Sequence, residues 1–406
     1  MVEGLAGEKK LEGEIAVRGA KNGALPALAA SLLFSDELTF KNLPEIEDVR
    51  RMRELISSLG NSGELKREVA ERFRASIILS GPALARFGNV TFPFPGGCVL
   101  GERPIDFFLQ SFRALGAEVK ERGDLFSIRA PRGGLTGARI FFPSISVTAT
   151  ETMILAAVLA KGETVLQNAA MEPEIPHIAE FLNSCGAKIR GAGTPTVHIE
   201  GTGLLTAEGR PYTIVPDRIE AGSFVLFSAL LGKEVRVVDC EPGHIGALLA
   251  HLRRAGVKFT LGERSVAVHG NKTNDAYKMV SVRTHEYPGF PTDLQALWAV
   301  FMTQCGGEGT LLETIFDGRF RYVDELVRMG ADITVMNPHK IMVRGPKCLS
   351  RKELEGPDLR AGLAYILAAA VARGTSTISN AYVVDRGYEQ VEERLSGLGL
   401  NIRREV

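Results

Sequence analysis

At 406 residues, with 45% hydrophobic and 24% charged side chains, the chain has the composition of a globular protein and the length of two ordinary domains. Its 48 basic residues balance 48 acidic ones, which excludes a general field for nucleic acid or an anionic membrane, so any anion site must be a local cluster. Five scattered cysteines (Cys98, Cys185, Cys240, Cys305, Cys348) with no CxxC spacing argue against a disulfide framework and a structural zinc site.

The first ten residues lack the apolar core of a secretory signal, and the longest apolar stretches, such as 365–372, fall well short of the ~20 residues that cross a bilayer. A soluble, cytoplasmic protein is the expectation.

One local pattern recurs six times: a helix-like stretch ends in a small residue plus Gly, usually followed by a short β-prone segment. The glycines are Gly60, Gly116, Gly186, Gly256, Gly330 and Gly399, spaced by 56, 70, 70, 74 and 69 residues. Gly after a helix tolerates the left-handed conformation that ends it, and a repeat at this interval means one supersecondary unit used repeatedly.

In chain order, an Ala- and Leu-rich stretch at 24–33 predicts a helix apolar nearly all round, hence buried. Around 66–104 the helical reading breaks at the Gly- and Pro-rich segment 88–98. A second buried helix is predicted at 152–160, followed by a strand at 163–168, and the pair recurs at 221–231 and 233–238. It recurs again at 294–302 and 309–314, with an amphipathic helix at 323–329, and finally at 361–372 and 375–380, with an amphipathic helix at 388–398. The unit reads as strand, buried helix, strand, surface helix, strand.

The first turns of these buried helices carry Lys21 and Asn22, Ser146 through Thr150, Asp217 and Arg218, Thr292 and Asp293, and Asp358 and Arg360. Helix starts suit anions because their N–H groups are free and partially positive. Capping explains Ser, Thr and Asp at such places equally well. It does not explain Lys21, Arg218 or Arg360, since a cation there needs an anionic partner.

Segments 18–26 (ArgGlyAlaLysAsnGlyAlaLeuPro), 94–106 (PheProGlyGlyCysValLeuGlyGluArgProIleAsp), 216–220 (ProAspArgIleGlu), 287–293 (TyrProGlyPheProThrAsp) and 358–361 (AspLeuArgAla) resemble the UDP-N-acetylglucosamine enolpyruvyl transferases along essentially the whole chain. The sister shikimate-phosphate family has a Lys-Ser opening and no Cys loop, and Lys21-Asn22 and Cys98 point away from it. The resemblance implies an α/β fold: a two-domain inside-out α/β barrel of six repeated strand–helix units. Residues 1–19 plus 217–406 would form one domain of three units, and 20–216 an inserted domain of three units carrying the Cys98 loop. It further implies transfer of the enolpyruvyl group of phosphoenolpyruvate to the sugar 3′-hydroxyl with release of phosphate, as the first committed step of peptidoglycan synthesis. No metal or organic cofactor is implied, and the protein would be a monomer whose domains close over its substrates.

The same resemblance assigns roles. Lys21, Arg103 and Arg360 match phosphoenolpyruvate-binding positions, and Arg74 lies near them; Arg suits bidentate contact with phosphate or carboxylate, while Lys acts as a point charge. Cys98, in a ProGlyGly-led loop with Arg103 nearby, reads as a reactive thiol, and the other four cysteines as buried small hydrophobes. By resemblance Cys98 donates a proton to the methylene carbon, can form a covalent adduct, and is open to the epoxide fosfomycin. Asp293 is the general-base candidate, with N-capping as the alternative. Asn22, Pro104, Ile105, Asp106, Ser146, Val147, Asp293 and Ile315 fall on nucleotide-sugar positions, and Arg319 on a further motif. Four residues depart from the family pattern: Ile78 stands for Trp, Phe108 for His, Ser144 for Lys and Thr148 for Gly. The last three fall on the uridine and diphosphate positions, so the acceptor could be a different nucleotide or sugar; a catalytically silent nucleotide-sugar-binding paralogue is a further reading.

Overall fold

The computed structural model describes residues 1–60, 63–96, 104–270 and 277–405, so Cys98 and Arg103 lie outside the described residues. The chain divides into two compact units. One comprises Met1–Arg18 and the chain from Pro216 onward; the other is inserted between them, from Gly19 to Val215. Each unit has its own hydrophobic core.

Among the described residues the discontinuous unit contains three sheets. The first runs in the order Lys258–Gly262, Ser265–His269, Gly232–Val238, Leu11–Ala16. Leu11–Ala16 and Gly232–Val238 are parallel neighbours although the whole inserted unit separates them in sequence. The second runs Val282–Arg283, Gly307–Leu312, Lys340–Gly345, Asp332–Asn337, and the third Val2–Leu5, Arg373–Ser379, Glu353–Glu355. Every sheet holds one parallel pair, which a tight turn cannot join. The crossovers are Arg218–Leu231, Gln295–Thr303 and Leu359–Val371. These helices have no polar face: every residue from Ile219 to Leu231 and from Arg360 to Val371 is buried. Each buried Leu or Phe contributes about 1.5–3 kcal/mol.

The inserted unit repeats the plan. Helix Val147–Ala157 joins the parallel strands Arg139–Phe141 and Glu163–Gln167, whose sheet is completed by Thr196–Glu200 and Lys188–Arg190. A second sheet pairs Asn89–Pro93, Leu125–Arg129 and Glu118–Arg122, and a third pairs Phe40–Lys41 with Tyr212–Thr213 in parallel. The segment left broken by the sequence pattern holds another buried helix. A 3-10 stretch, Arg74–Leu79, runs into helix Ser80–Phe87, and strand Asn89–Pro93 follows. Ser80-Gly81-Pro82 reads as a turn, but Pro82 occupies the first turn, where a missing N–H costs nothing. Gly81 is required by packing: a Cβ there would lie 2.2 Å from the Thr152 carbonyl oxygen.

The six repeated glycines all have positive φ, from 50° at Gly60 to 107° at Gly186. Each follows an amphipathic helix: Glu47–Leu59, Asp106–Ala114, Glu174–Ser184, Gly246–Ala255, Val323–Arg328 and Val391–Gly397. Four lead directly into strands Glu118–Arg122, Lys188–Arg190, Lys258–Gly262 and Asp332–Asn337. Of the cysteines expected to be buried, Cys185, Cys240 and Cys305 are, but Cys348 is exposed. It lies in the irregular segment after the cis Gly345–Pro346 bond, where the chain leaves its sheet. Among the described residues no helix is long and apolar enough to cross a membrane.

Candidate active site

In the discontinuous unit one constellation collects three of the residues singled out in the sequence. Asp293 sits in a 3-10 turn, Thr292–Leu294, that leads into helix Gln295–Thr303. Its side chain caps neither element. Instead Oδ1 accepts from Arg319 Nη2 at 2.8 Å and Oδ2 from Arg360 Nη2 at 3.2 Å. Both arginines are buried while Asp293 is about one quarter exposed, so the carboxylate is the accessible member of a sunken triad.

Arg360 stands in the first turn of helix Leu359–Val371, where the dipole disfavours a cation. Asp358, the N-cap, offsets this by accepting from the Arg360 and Ala361 N–H groups at 2.8 and 3.1 Å. The guanidinium also donates from Nη1 to Tyr388 Oη at 2.8 Å, and Tyr388 shares a hydrogen bond of 3.1 Å with Ser223. Burial works against the Arg360 charge, but Asp293 and Tyr388 outweigh it and hold the group above the ordinary arginine range. Arg319 is aimed by its own backbone: Gln295 Nε2 donates to the Arg319 carbonyl at 3.5 Å, and Tyr322 Oη donates to Gln295 Oε1 at 2.5 Å. Ile315 is half-buried, in the stretch between strand Gly307–Leu312 and Arg319.

The inserted unit presents a looser set. Lys21 opens helix Lys21–Ala30, and its Nζ lies 3.1 Å from Asp48 Oδ2, a carboxylate almost fully buried. Asn22 beside it is half-buried. The Arg74 guanidinium lies over the Phe94 ring, 5.8 Å from its centroid. Ser146 caps helix Val147–Ala157, its Oγ accepting from Ala149 N–H at 3.2 Å, and Val147 and Thr148 are half-buried in the first turn. Asp106 and Pro104 are exposed at the start of helix Asp106–Ala114, and Ile105 is buried. Asp106 thus places a carboxylate where the helix end favours negative charge.

The departing positions separate into two kinds. Ile78 and Phe108 are core residues; Phe108 packs on Phe107 with ring centroids 4.7 Å apart. Ser144 is exposed and Thr148 half-buried, so these two can face a solute. Cation starts were expected to need an anionic partner, and for Lys21 and Arg360 the chain itself supplies Asp48 and Asp293. Sequence reasoning missed Asp48, Tyr388, Ser223 and Gln295, which carry no local motif. Among the described residues no cluster of His, Cys, Asp and Glu has the arrangement of a metal site.

The model of the EPSP synthase (3-phosphoshikimate 1-carboxyvinyltransferase) family matches residues 5–395, and the chain belongs to this family of enolpyruvyl transferases. Within it the chain falls among the UDP-N-acetylglucosamine 1-carboxyvinyltransferases. The protein of that name from Desulforapulum autotrophicum is 42% identical, over 98% of both chains. UDP-N-acetylglucosamine 1-carboxyvinyltransferase 1 from Caldanaerobacter subterraneus subsp. tengcongensis is also 42% identical, over 97% of both. Solved structures share the fold. The enolpyruvyl transferase NikO from Streptomyces tendae superposes with a TM-score of 0.86 at 23% identity, covering 99% of this chain and 97% of that one. EPSP synthase from Acinetobacter baumannii gives 0.70 at 18% identity, covering 100% and 99%.

Proposed function

We propose that the protein transfers the enolpyruvyl group of phosphoenolpyruvate to the 3′-hydroxyl of UDP-N-acetylglucosamine. A bond forms between the sugar oxygen and C2 of phosphoenolpyruvate as the hydroxyl loses its proton and a proton is added to the methylene carbon. Elimination then removes a proton from that carbon, re-forms the C=C bond and breaks the C–O bond to phosphate. The observation that carries this reading is the Asp293–Arg319–Arg360 triad, which sets a candidate base against two candidate anion-binding cations in a chain 42% identical to enzymes of that name. In this reading Asp293 takes the hydroxyl proton, a role worth about 10²–10⁴-fold in rate. Lys21, Arg74, Arg103 and Arg360 bind the phosphate and carboxylate, and Cys98 supplies the methylene proton. Asn22, Pro104, Ile105, Asp106, Ser146, Val147 and Ile315 contact the nucleotide-sugar, and Arg319 is a further substrate-binding residue.

An anion arriving at Arg360 competes with Asp293 for the guanidinium, so binding of phosphoenolpyruvate loosens the carboxylate as the acceptor hydroxyl needs it. Preorganised charge then stabilises the oxocarbenium-like centre. The two units are taken as domains of three repeats each, in an inside-out α/β barrel, and the protein as a cytoplasmic monomer of peptidoglycan synthesis.

A second reading keeps the chemistry with another nucleotide or sugar acceptor. Exposed Ser144, without the expected cation, and buried Phe108 favour it. Phosphate release from phosphoenolpyruvate, with the product identified by mass, tests both. Release requiring UDP-N-acetylglucosamine supports the first; release only with another acceptor supports the second, and silence with every acceptor from protein that still binds nucleotide-sugar favours a silent paralogue. For Cys98, exchange to Asp is expected to retain turnover and abolish fosfomycin inhibition, and unchanged inhibition would refute its assignment.

A further inference from the structure

Glu313 follows strand Gly307–Leu312 and is 1% exposed. Its carboxylate accepts four hydrogen bonds. Oε1 takes the Ile315 N–H at 2.8 Å, the Phe316 N–H at 3.2 Å and the Thr284 hydroxyl at 3.1 Å. Oε2 takes the Thr292 hydroxyl at 2.8 Å. The Thr284 oxygen is itself an acceptor for Thr314 N–H at 2.9 Å, and its hydroxyl lies nearer Glu313 Oε1, at 3.1 Å, than the Leu312 carbonyl, at 3.4 Å. All four donors are neutral, and the two acceptor oxygens of a carboxylate can face them all.

These bonds join three segments. Thr284 directly follows the strand Val282–Arg283, Thr292 opens the turn that displays Asp293, and Ile315 and Phe316 begin the loop that leads to Arg319. Asp293 and Arg319 are themselves paired at 2.8 Å. One buried carboxylate therefore ties down the main chain on both sides of the catalytic ion pair.

We infer that Glu313 is a positioning residue for the transfer reaction: it fixes the Asp293 turn relative to the Arg319 loop, so that the Asp293 carboxylate meets the acceptor hydroxyl at the required distance. The inference rests on the reaction proposed above. Misplacing a reacting group by about 1 Å costs on the order of 10²-fold in rate.

Three variants and two readouts test it. Glu313→Ala removes all four bonds and is expected to lower kcat by roughly 10²-fold with KM for both substrates nearly unchanged. Glu313→Gln keeps the three bonds at Oε1, and its amide can donate to the Thr292 oxygen, so kcat stays within a few-fold of the parent. Thr292→Val keeps the side-chain shape, deletes only the bond to the Asp293 turn, and in protein whose fold is verified by circular dichroism is expected to lower kcat by about tenfold. Parent kcat in folded Thr292→Val, or equal losses in the Gln and Ala variants, would overturn the inference. Hydrogen exchange reads the tether without substrate: peptides covering 292–294 and 315–319 exchange faster together in Glu313→Ala, and an unchanged rate in either overturns it. A parent protein that releases no phosphate while showing this exchange pattern refutes the proposed reaction and leaves the tether standing.

Discussion

The discontinuous unit buries charges of opposite sign in contact, whereas the inserted unit gathers like charges. In the first, Asp293 lies against Arg319 and Arg360, and Arg394 is bound to Glu220, whose other oxygen accepts the Arg18 N–H at 2.7 Å. In the second, beside the Lys21–Asp48 pair, Glu151, Glu172 and Glu174 are all buried within mutual electrostatic reach. Burial, then Glu174 and Glu172, push the Glu151 carboxyl well above its usual range. The Tyr212 hydroxyl, buried near the same acids, is raised as well. Glu151 Oε1 and Tyr212 Oη have no hydrogen-bond partner among the described residues. The contrast separates two uses of buried charge: a paired triad is organised before any ligand arrives, while a like-charged cluster is relieved by holding a proton and so makes stability depend on pH.

The sharpest way to break this comparison is at the triad. Asp293→Asn is expected to reduce turnover by at least ~10²-fold while the fold persists, because the base is lost and both guanidiniums face a neutral amide. Near-parent turnover in a steady-state assay would remove Asp293 from that role. Tyr388→Phe deletes one charge-assisted bond to Arg360, worth about 1.5–3 kcal/mol, so KM for phosphoenolpyruvate should rise roughly tenfold. An unchanged KM would mean that Tyr388 does not support the anion site.

On the inserted unit, Ser144→Lys restores the cation that the family pattern has there and is expected to lower KM for UDP-N-acetylglucosamine several-fold, within the ~1–3 kcal/mol of a charge-assisted contact. No change would separate position 144 from the acceptor. The smallest effect is thermal. Because the Glu151 carboxyl is raised in the folded state, its contribution to stability is complete below the unfolded carboxylate range and is lost as pH rises through the folded value. Glu151→Gln should therefore raise Tm by a few degrees at pH 8, about 2–4 °C per kcal/mol, and by nothing near pH 4. A gain that is equal at both pH values would show that the penalty of ionising a buried carboxyl among other acids is not its source.

The architecture was readable where a rule acts within a few residues. Gly256 and Gly330 announced helix ends because only Gly enters the left-handed region without penalty, and strands follow both. The all-apolar runs at 221–231 and 361–372 announced buried helices for an equally local reason. Helix Ser80–Phe87 was hidden because Gly81 serves a distant neighbour, the Thr152 carbonyl. Asp293 drew notice through its ProThrAsp setting, and Arg360 through its place at a helix start. Which carboxylate meets which guanidinium was not readable, since Asp293 and Arg360 stand 67 residues apart.

Periodicity, glycine spacing and helix starts thus specify the repeated element, its core face and the residue types able to handle anions. All of these follow from backbone sterics and burial within one turn or one strand. The tertiary structure alone decided that Leu11–Ala16 pairs with Gly232–Val238 across an entire inserted unit, that Glu313 ties the Asp293 turn to the Arg319 loop, and that Glu151 lies among other acids. Such partners are chosen by the packing of whole elements, so the energy of each pair depends on residues far away in the chain and leaves no local pattern to read.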